Sequence, residues 1–169
     1  MNNNRILVLL PTFGDTKDSK RIKMLKESGF EVNVAYFERD QFLSRKPEAD
    51  SFYKLGKISN GNYFKRINVF LKSIRNLRAL VKKNDFVYCI GADLAIFSFF
   101  ASSGLKSRLI IDVADIRPIQ VSNSILGKFL RTIESYVTKS ASLIVVTSKG
   151  FIDFYYKEKL GIKTHNFFL

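Results

Sequence analysis

Apolar residues run in short blocks along this chain, and the period changes from one block to the next. Arg5-Ile6-Leu7-Val8-Leu9-Leu10 is a continuous aliphatic run closed by Pro11 and Gly14, which predicts a strand buried on both faces. Residues 18–27 then place Ile22 and Leu25 at helical spacing, and Ser28-Gly29 closes that segment as a C-cap. Glu31 to Phe37 alternates into a second strand, so residues 5–37 read as one strand–helix–strand unit.

Glu38 to Asp50 is polar, contains Pro47 and reads as a loop ahead of a third strand over 51–58. Ser59-Asn60-Gly61-Asn62 is a turn that also caps a helix from Tyr63 to Lys83. There Tyr63, Ile67, Phe70, Ile74, Leu77 and Val81 recur at steps of three and four. Further strands are predicted at 85–90, 108–112 and 142–146, and helices at 92–103, 124–139 and 148–160. The helix over 124–139 carries Leu126, Phe129, Leu130, Ile133 and Val137 on one side, and Ile162 to Phe167 opens another strand. Alternation of strands and helices along the chain predicts an α/β fold. It is a single Rossmann-like domain with a mostly parallel sheet of about six or seven strands flanked by helices.

With 169 residues, 46% hydrophobic and 25% charged, the chain is long enough for one globular domain. One cysteine, Cys89, forbids an internal disulfide and a cysteine-built zinc site. One histidine, His165, argues against a histidine metal cluster or a Ser–His–Asp triad, so no metal or cofactor is expected. No run approaches the ~18 apolar residues of a membrane span. The start, Met1-Asn2-Asn3-Asn4-Arg5, lacks the cleavage site of a signal peptide, so a cytoplasmic location is expected.

Charge narrows the picture further. Lys and Arg number 28 against 15 Asp and Glu, a net charge of +13, which predicts an anionic partner: nucleic acid, anionic lipid or a phosphorylated substrate. The helix over 63–83 concentrates Lys65, Arg66, Lys72, Arg75, Arg78, Lys82 and Lys83 with no acidic residue among them. Such a helix either lies against anionic lipid, each cation contributing about 1 kcal/mol, or docks on the sheet with a solvated basic back. The two are compatible if only the basic face meets the membrane.

Ligands of doubly wound sheets sit beyond the carboxyl ends of the strands, which directs attention to the turns there. The turn after the first strand holds one glycine, Gly14, with neither a dinucleotide fingerprint nor a P-loop. Gly14 either lets backbone approach a ligand or simply permits the turn. Asp112 and Asp115 are an acidic pair where a hydrophobic strand empties into a loop, suited to general-base work. Alternatively Asp115 organises the turn before Arg117-Pro118. Arg117 suits a phosphate or carboxylate, or is a solvated loop charge. Ser148 suits the N-cap of the last helix, whose amides form an anion-accepting start. Asp93, after the strand ending at Ile90, completes the set.

These residues together resemble the amino-terminal half of retaining, GT-B-fold glycosyltransferases of the "glycosyl transferase 4-like" group. Arg5 to Leu10 with its turn looks like the family's first strand and loop. Asp18-Ser19-Lys20-Arg21-Ile22, then Leu25 and Ser28-Gly29-Phe30-Glu31-Val32, is similar to its D-x-R…L…G-(H/Y/F)-x-V segment. Ile110-Ile111-Asp112-Val113-Ala114-Asp115 occupies the place of its D-x-(H)-(D/E) segment, with Ala114 where relatives often have histidine. Ala141 to Phe151 looks like its A-D-x-I-V-V-(T/S)-S-x-G-F stretch.

The resemblance implies transfer of a sugar from a nucleotide sugar to a lipid-linked glycan in bacterial surface polysaccharide synthesis, at the inner face of the cell membrane and without a metal cluster. It implies that residues 1–169 are the acceptor-binding half, inactive alone, with the nucleotide sugar held mainly by a further domain or partner subunit. Gly14, Asp15, Asp93, Arg117 and Ser148 would then line the cleft, with Asp112 and Asp115 catalytic. Lys65, Arg66, Lys72, Arg75, Lys82 and Lys83 would face the membrane. The alternative is a non-enzymatic basic α/β binding module for nucleic acid or another anionic partner. No recognised nucleic-acid motif is present, which argues against nucleic acid as its partner.

Overall fold

A computed structural model describes residues 4–39, 47–58, 63–106, 108–163 and 166–169, leaving aside the side chains of 63–66. In chain order the elements are β1 (Arg5–Leu10), α1 (Thr16–Glu27), β2 (Glu31–Glu38), β3 (Ser51–Lys57), α2 (Tyr63–Val81), β4 (Phe86–Ile90) and α3 (Ala92–Ser102). There follow β5 (Arg108–Val113), α4 (Pro118–Val121), α5 (Ile125–Ser140), β6 (Leu143–Val146), α6 (Phe151–Lys159, wound as a π-helix) and β7 (Phe167–Phe168).

The seven strands form one sheet in the order β3-β2-β1-β4-β5-β6-β7, and every pairing is parallel. β1 is central, and Ile6 to Leu10 are fully buried, as a strand covered on both faces requires. Its side chains alternate between two cores. Leu7 and Leu9 face the larger one, with Phe37, Leu77, Phe97, Ile111, Val137 and Tyr156. Ile6, Val8 and Leu10 face the smaller one, with Ile22 of α1, Val34 and Tyr88. α2, α3, α5 and α6 cover the first face and α1 the second.

Chain order reverses between β1 and β4, the switch point at which strand ends diverge and leave a crevice. The turns 11–15, 91–93, 114–117 and 147–150 all lie along this carboxyl edge.

The structure differs from the periodicity in five places. A short α4 interrupts the connection from β5 to α5, beginning with Pro118 at its first position. The last helix winds as a π-helix, with Leu160 N–H donating to Tyr155 O at 2.9 Å. β7 is only two residues long. Along α5, Val137 is buried and Leu130 and Ile133 half-buried, whereas Leu126 and Phe129 point to solvent. Likewise α2 buries Leu77 and Val81 but leaves Ile67 exposed, because a helix touching the sheet along one line covers only a narrow part of its apolar stripe. The turn at 59–62, most of the loop at 40–46 and His165 lie outside the described residues.

Candidate functional site

The carboxyl edge is assembled by turns that each stop a strand. After β1, Gly14 has φ 83°, a left-handed conformation that favours glycine, and turns the chain into α1. Asp15 caps that helix, accepting from Lys17 N–H at 2.8 Å, and remains exposed at the crevice. After β4, Gly91 (φ 97°) receives no side-chain cap and starts α3, so α3 opens with uncovered amides toward the crevice.

One helical turn into α1, Asp18 is buried, and its pKa is pushed up to about 7. Burial is the main cause. The carboxylates of Asp15 and Asp112 add to it, and Lys17 and Arg21 oppose it. Arg21, one turn further, donates Nε to Asp112 Oδ2 at 2.9 Å. Tyr88 of β4 donates its hydroxyl to the same oxygen at 2.6 Å. Asp112 is only 3% exposed, and its carboxylate is committed to tying α1, β4 and β5 together beneath the crevice.

Asp115 stands apart from that cluster. It is exposed on the loop after β5, and among the described residues its carboxylate has no hydrogen-bond or ion-pair partner. Beside it, Arg117 pairs with Asp93 of α3, Nη1 to Oδ2 at 3.1 Å and Nη2 to Oδ1 at 3.4 Å. This fork-on-carboxylate contact bridges the turns after β4 and β5, so the guanidinium is a fixed part of the rim rather than a solvated charge. Thr147 Oγ1 reaches Ala114 O at 3.3 Å, which brings the turn after β6 alongside. Ser148 Oγ accepts from Gly150 N–H at 3.2 Å and caps the start of the last helical segment.

The loop carrying Asp115 and Arg117 is held from below by a buried polar network. Arg117 N–H donates to Gln120 Oε1 at 2.8 Å. Gln120 Nε2 donates to both oxygens of Glu134, and Tyr155 OH donates to Glu134 Oε2 at 2.6 Å. Burial raises the Glu134 pKa, against the lowering effect of the Tyr155 and Gln120 hydrogen bonds. Arg131 closes the loop by donating to the carbonyls of Gln120 and Ser122. Sequence reasoning did not single out Glu134, although an acid on the sheet-facing side of an amphipathic helix was a visible signal. Arg21 stood inside a quoted motif without a role.

The residues expected at the cleft thus divide. Gly14, Asp15, Asp93, Asp115, Arg117 and Ser148 gather along the carboxyl edge, and Asp112 lies beneath it. On the helix expected to face a membrane, Lys72, Arg75, Lys82 and Lys83 are exposed. The side chains of Lys65 and Arg66 lie outside the described residues. Arg78 instead turns inward and donates to the carbonyls of Ala101 and Ser103, so α2 is docked on the sheet with a solvated basic back. Two concavities of about 480 and 1070 Å³ lie at the opposite, amino-end edge, bordered by residues such as Lys82 and Arg108 or Ser142 and Lys163. Among the described residues no group of His, Cys, Asp and Glu is arranged to hold a metal ion.

No protein-family model matches the chain. It is 24% identical over 163 residues to the succinoglycan biosynthesis protein ExoL of Rhizobium meliloti (strain 1021), spanning 94% of this chain and 40% of ExoL. Among solved structures, sucrose-phosphate synthase from Thermosynechococcus elongatus superposes with a TM-score of 0.71 at 10% identity, over 99% of this chain and 47% of that one. Anabaena HepE, determined in complex with UDP, superposes with a TM-score of 0.60 at 12% identity, over 96% of this chain and 43% of that one. The chain therefore spans less than half the length of each of these proteins. With one seven-stranded parallel sheet flanked by helices and these superpositions, the chain is a Rossmann-like domain with the fold of one half of a GT-B glycosyltransferase.

Proposed function

We propose that this domain is the acceptor-binding half of a glycosyltransferase that moves a sugar from a nucleotide sugar to a lipid-linked glycan in bacterial surface polysaccharide synthesis. Its likeness to a succinoglycan biosynthesis protein and its GT-B-type fold support the reaction class. The observation that carries the acceptor reading is the unpartnered Asp115 carboxylate on a rim fixed by the Asp93–Arg117 pair. An acceptor hydroxyl placed on that rim would lose its proton toward Asp115 as its oxygen bonds to the anomeric carbon and the bond from that carbon to the nucleoside diphosphate breaks. The nucleoside diphosphate leaves on the side of the second domain, while Arg117 and the α3 amides face the acceptor's diphosphate oxygens. Asp112 has the supporting part of anchoring α1 under the crevice. The nucleotide sugar is held mainly by a second domain or partner subunit, so the domain alone turns over no substrate.

Amide chemical-shift mapping tests this. A short-chain polyprenyl-diphosphate sugar should perturb residues 12–19, 91–93 and 114–117, and Asp115→Asn should weaken that response. The proposal fails if the isolated domain transfers sugar from any nucleotide sugar. It also fails if UDP alone saturates the same residues while the diphosphate lipid leaves them unmoved.

A further inference from the structure

The floor of the crevice holds an acid that the fold leaves without a partner. Asp18, in the first turn of α1, is only 8% exposed. Among the described residues neither of its carboxylate oxygens has a hydrogen-bond donor or an ion-pair partner. The donors on neighbouring residues are spent elsewhere. The Ser19 hydroxyl goes to Asp15 O at 2.8 Å, and Arg21 Nε and the Tyr88 hydroxyl both go to Asp112 Oδ2. Buried polar groups are almost always hydrogen-bonded, so a bare carboxylate beside a crevice marks a place where a ligand supplies the donor.

Asp18 lies on the side of α1 that meets β4 and β5 at the switch point. The carboxylates of Asp15 at the rim and Asp112 beneath it both act on Asp18, and Tyr88 of β4 feels its charge. The crevice is therefore divided by charge. Arg117 and the uncapped amides of α3 present donors suited to a diphosphate. Around Asp18 the balance is acidic, because Asp15, Asp18 and Asp112 face only Lys17 and Arg21, and Arg21 is already held by Asp112. An anion brought to this floor meets like charge, whereas an uncharged hydroxyl meets an open acceptor. The three acids are not arranged to hold a metal ion.

We propose that Asp18 selects the sugar of the acceptor. Its buried carboxylate accepts a hydrogen bond from a ring hydroxyl of the sugar next to the lipid diphosphate, and its charge excludes a sugar that carries a carboxylate. The inference rests on the acceptor reading and narrows it, from a lipid-linked glycan to one whose first sugar is uncharged. A charge-assisted hydrogen bond to the right sugar and like-charge rejection of the wrong one act in the same direction, so a single side chain discriminates twice.

Amide chemical-shift titration of the whole chain at pH 8, where Asp18 is ionised, tests it. The probes are a short-chain polyprenyl diphosphate, bare or carrying glucose, galactose, glucuronic acid or galacturonic acid. The better of the two neutral sugars should bind about tenfold more tightly than its uronic counterpart and should move the amides of 15–21. Asp18→Asn keeps the shape and removes the charge, and should narrow that ratio to about threefold or less. Glucose and glucuronic acid differ only at C6, so the ratio reads contact at the site and not the soundness of the fold. The wild-type ratio decides the matter even where the variant folds poorly. Equal binding of neutral and uronic lipids, or a ratio that Asp18→Asn leaves intact, overturns the proposal, while binding of the bare diphosphate at 91–93 and 114–117 upholds the acceptor reading. Movement of the Asp18 amide by UDP-glucose in place of the sugar-bearing lipids would assign the floor to the donor and also overturn the proposal. Failure of every lipid to bind overturns both.

Discussion

Arg21 Nε donates to Asp112 Oδ2 at 2.9 Å, so the helix that follows β1 is fastened to a strand two positions away across the sheet. α1 is the only described helix packed on the smaller core, and this contact fixes how its amino end meets the crevice. The acid is nearly covered and the arginine about one-third exposed, so breaking the pair leaves a buried charge answered only by Tyr88.

Arg21→Ala should cost about 2–3 kcal/mol in urea unfolding, somewhat less than for a fully buried pair. Arg21→Lys should restore only part of it, because an ammonium lacks the planar Nε geometry. A loss below about 0.5 kcal/mol would show that the pair contributes little.

Asp18 gives the domain a pH dependence of defined sign. Its folded pKa of about 7 lies above the ordinary value of 3.8, so the folded state binds the extra proton between those limits. Its contribution is fully present below pH ~4, declines as pH rises and is lost by about pH 7. Asp18→Asn should flatten that decline and raise stability at pH 8 by about 1 kcal/mol or more. Parallel pH profiles of wild type and variant from thermal melts would disprove the assignment.

Glu134 supports the loop that carries Asp115 and Arg117 without reaching the crevice. Glu134→Ala would strip the acceptor from Tyr155 and from Gln120 Nε2, costing about 2–4 kcal/mol. Tyr155→Phe should cost about 1 kcal/mol. In both, hydrogen exchange should quicken first over 114–122. Uniform quickening across the sheet would show that the network supports the core generally and not this loop.

Gly127 lets α5 approach α4. A Cβ there would meet the Ile119 carbonyl at 2.7 Å and the Ser122 carbonyl at 2.9 Å, both backbone atoms with little room to yield. Gly127→Ala should therefore destabilise by about 1–3 kcal/mol, despite alanine's better helix propensity. A stabilised variant in the same melts would mean that α4 is free to move aside.

The strands and most helices were legible because each is a short segment whose own hydrophobic period declares it. Ile6 to Leu10, short and closed by Pro11 and Gly14, suits a strand covered on both sides, and Ser28-Gly29 suits a helix end. α4 escaped because four residues carry no period. The π winding of α6 escaped because it has the composition of an ordinary helix. Leu126 and Phe129 were grouped with Val137 by spacing, but spacing says which residues share a side and not how much of that side a sheet can reach.

By itself the sequence determined an alternating parallel domain, a strongly basic surface and a set of acidic and basic residues at strand ends, since these depend on local pattern and composition. Only the tertiary structure decided that Asp112 is an anchor under α1 while Asp115 stands open, and that Arg117 is held by Asp93. It alone left Phe100 of α3 exposed while Ile96 and Phe99 pack against the core. Each of those facts depends on which strands lie side by side and which residues burial brings together, and residues 91 apart in the chain, such as Arg21 and Asp112, meet only once the sheet has formed.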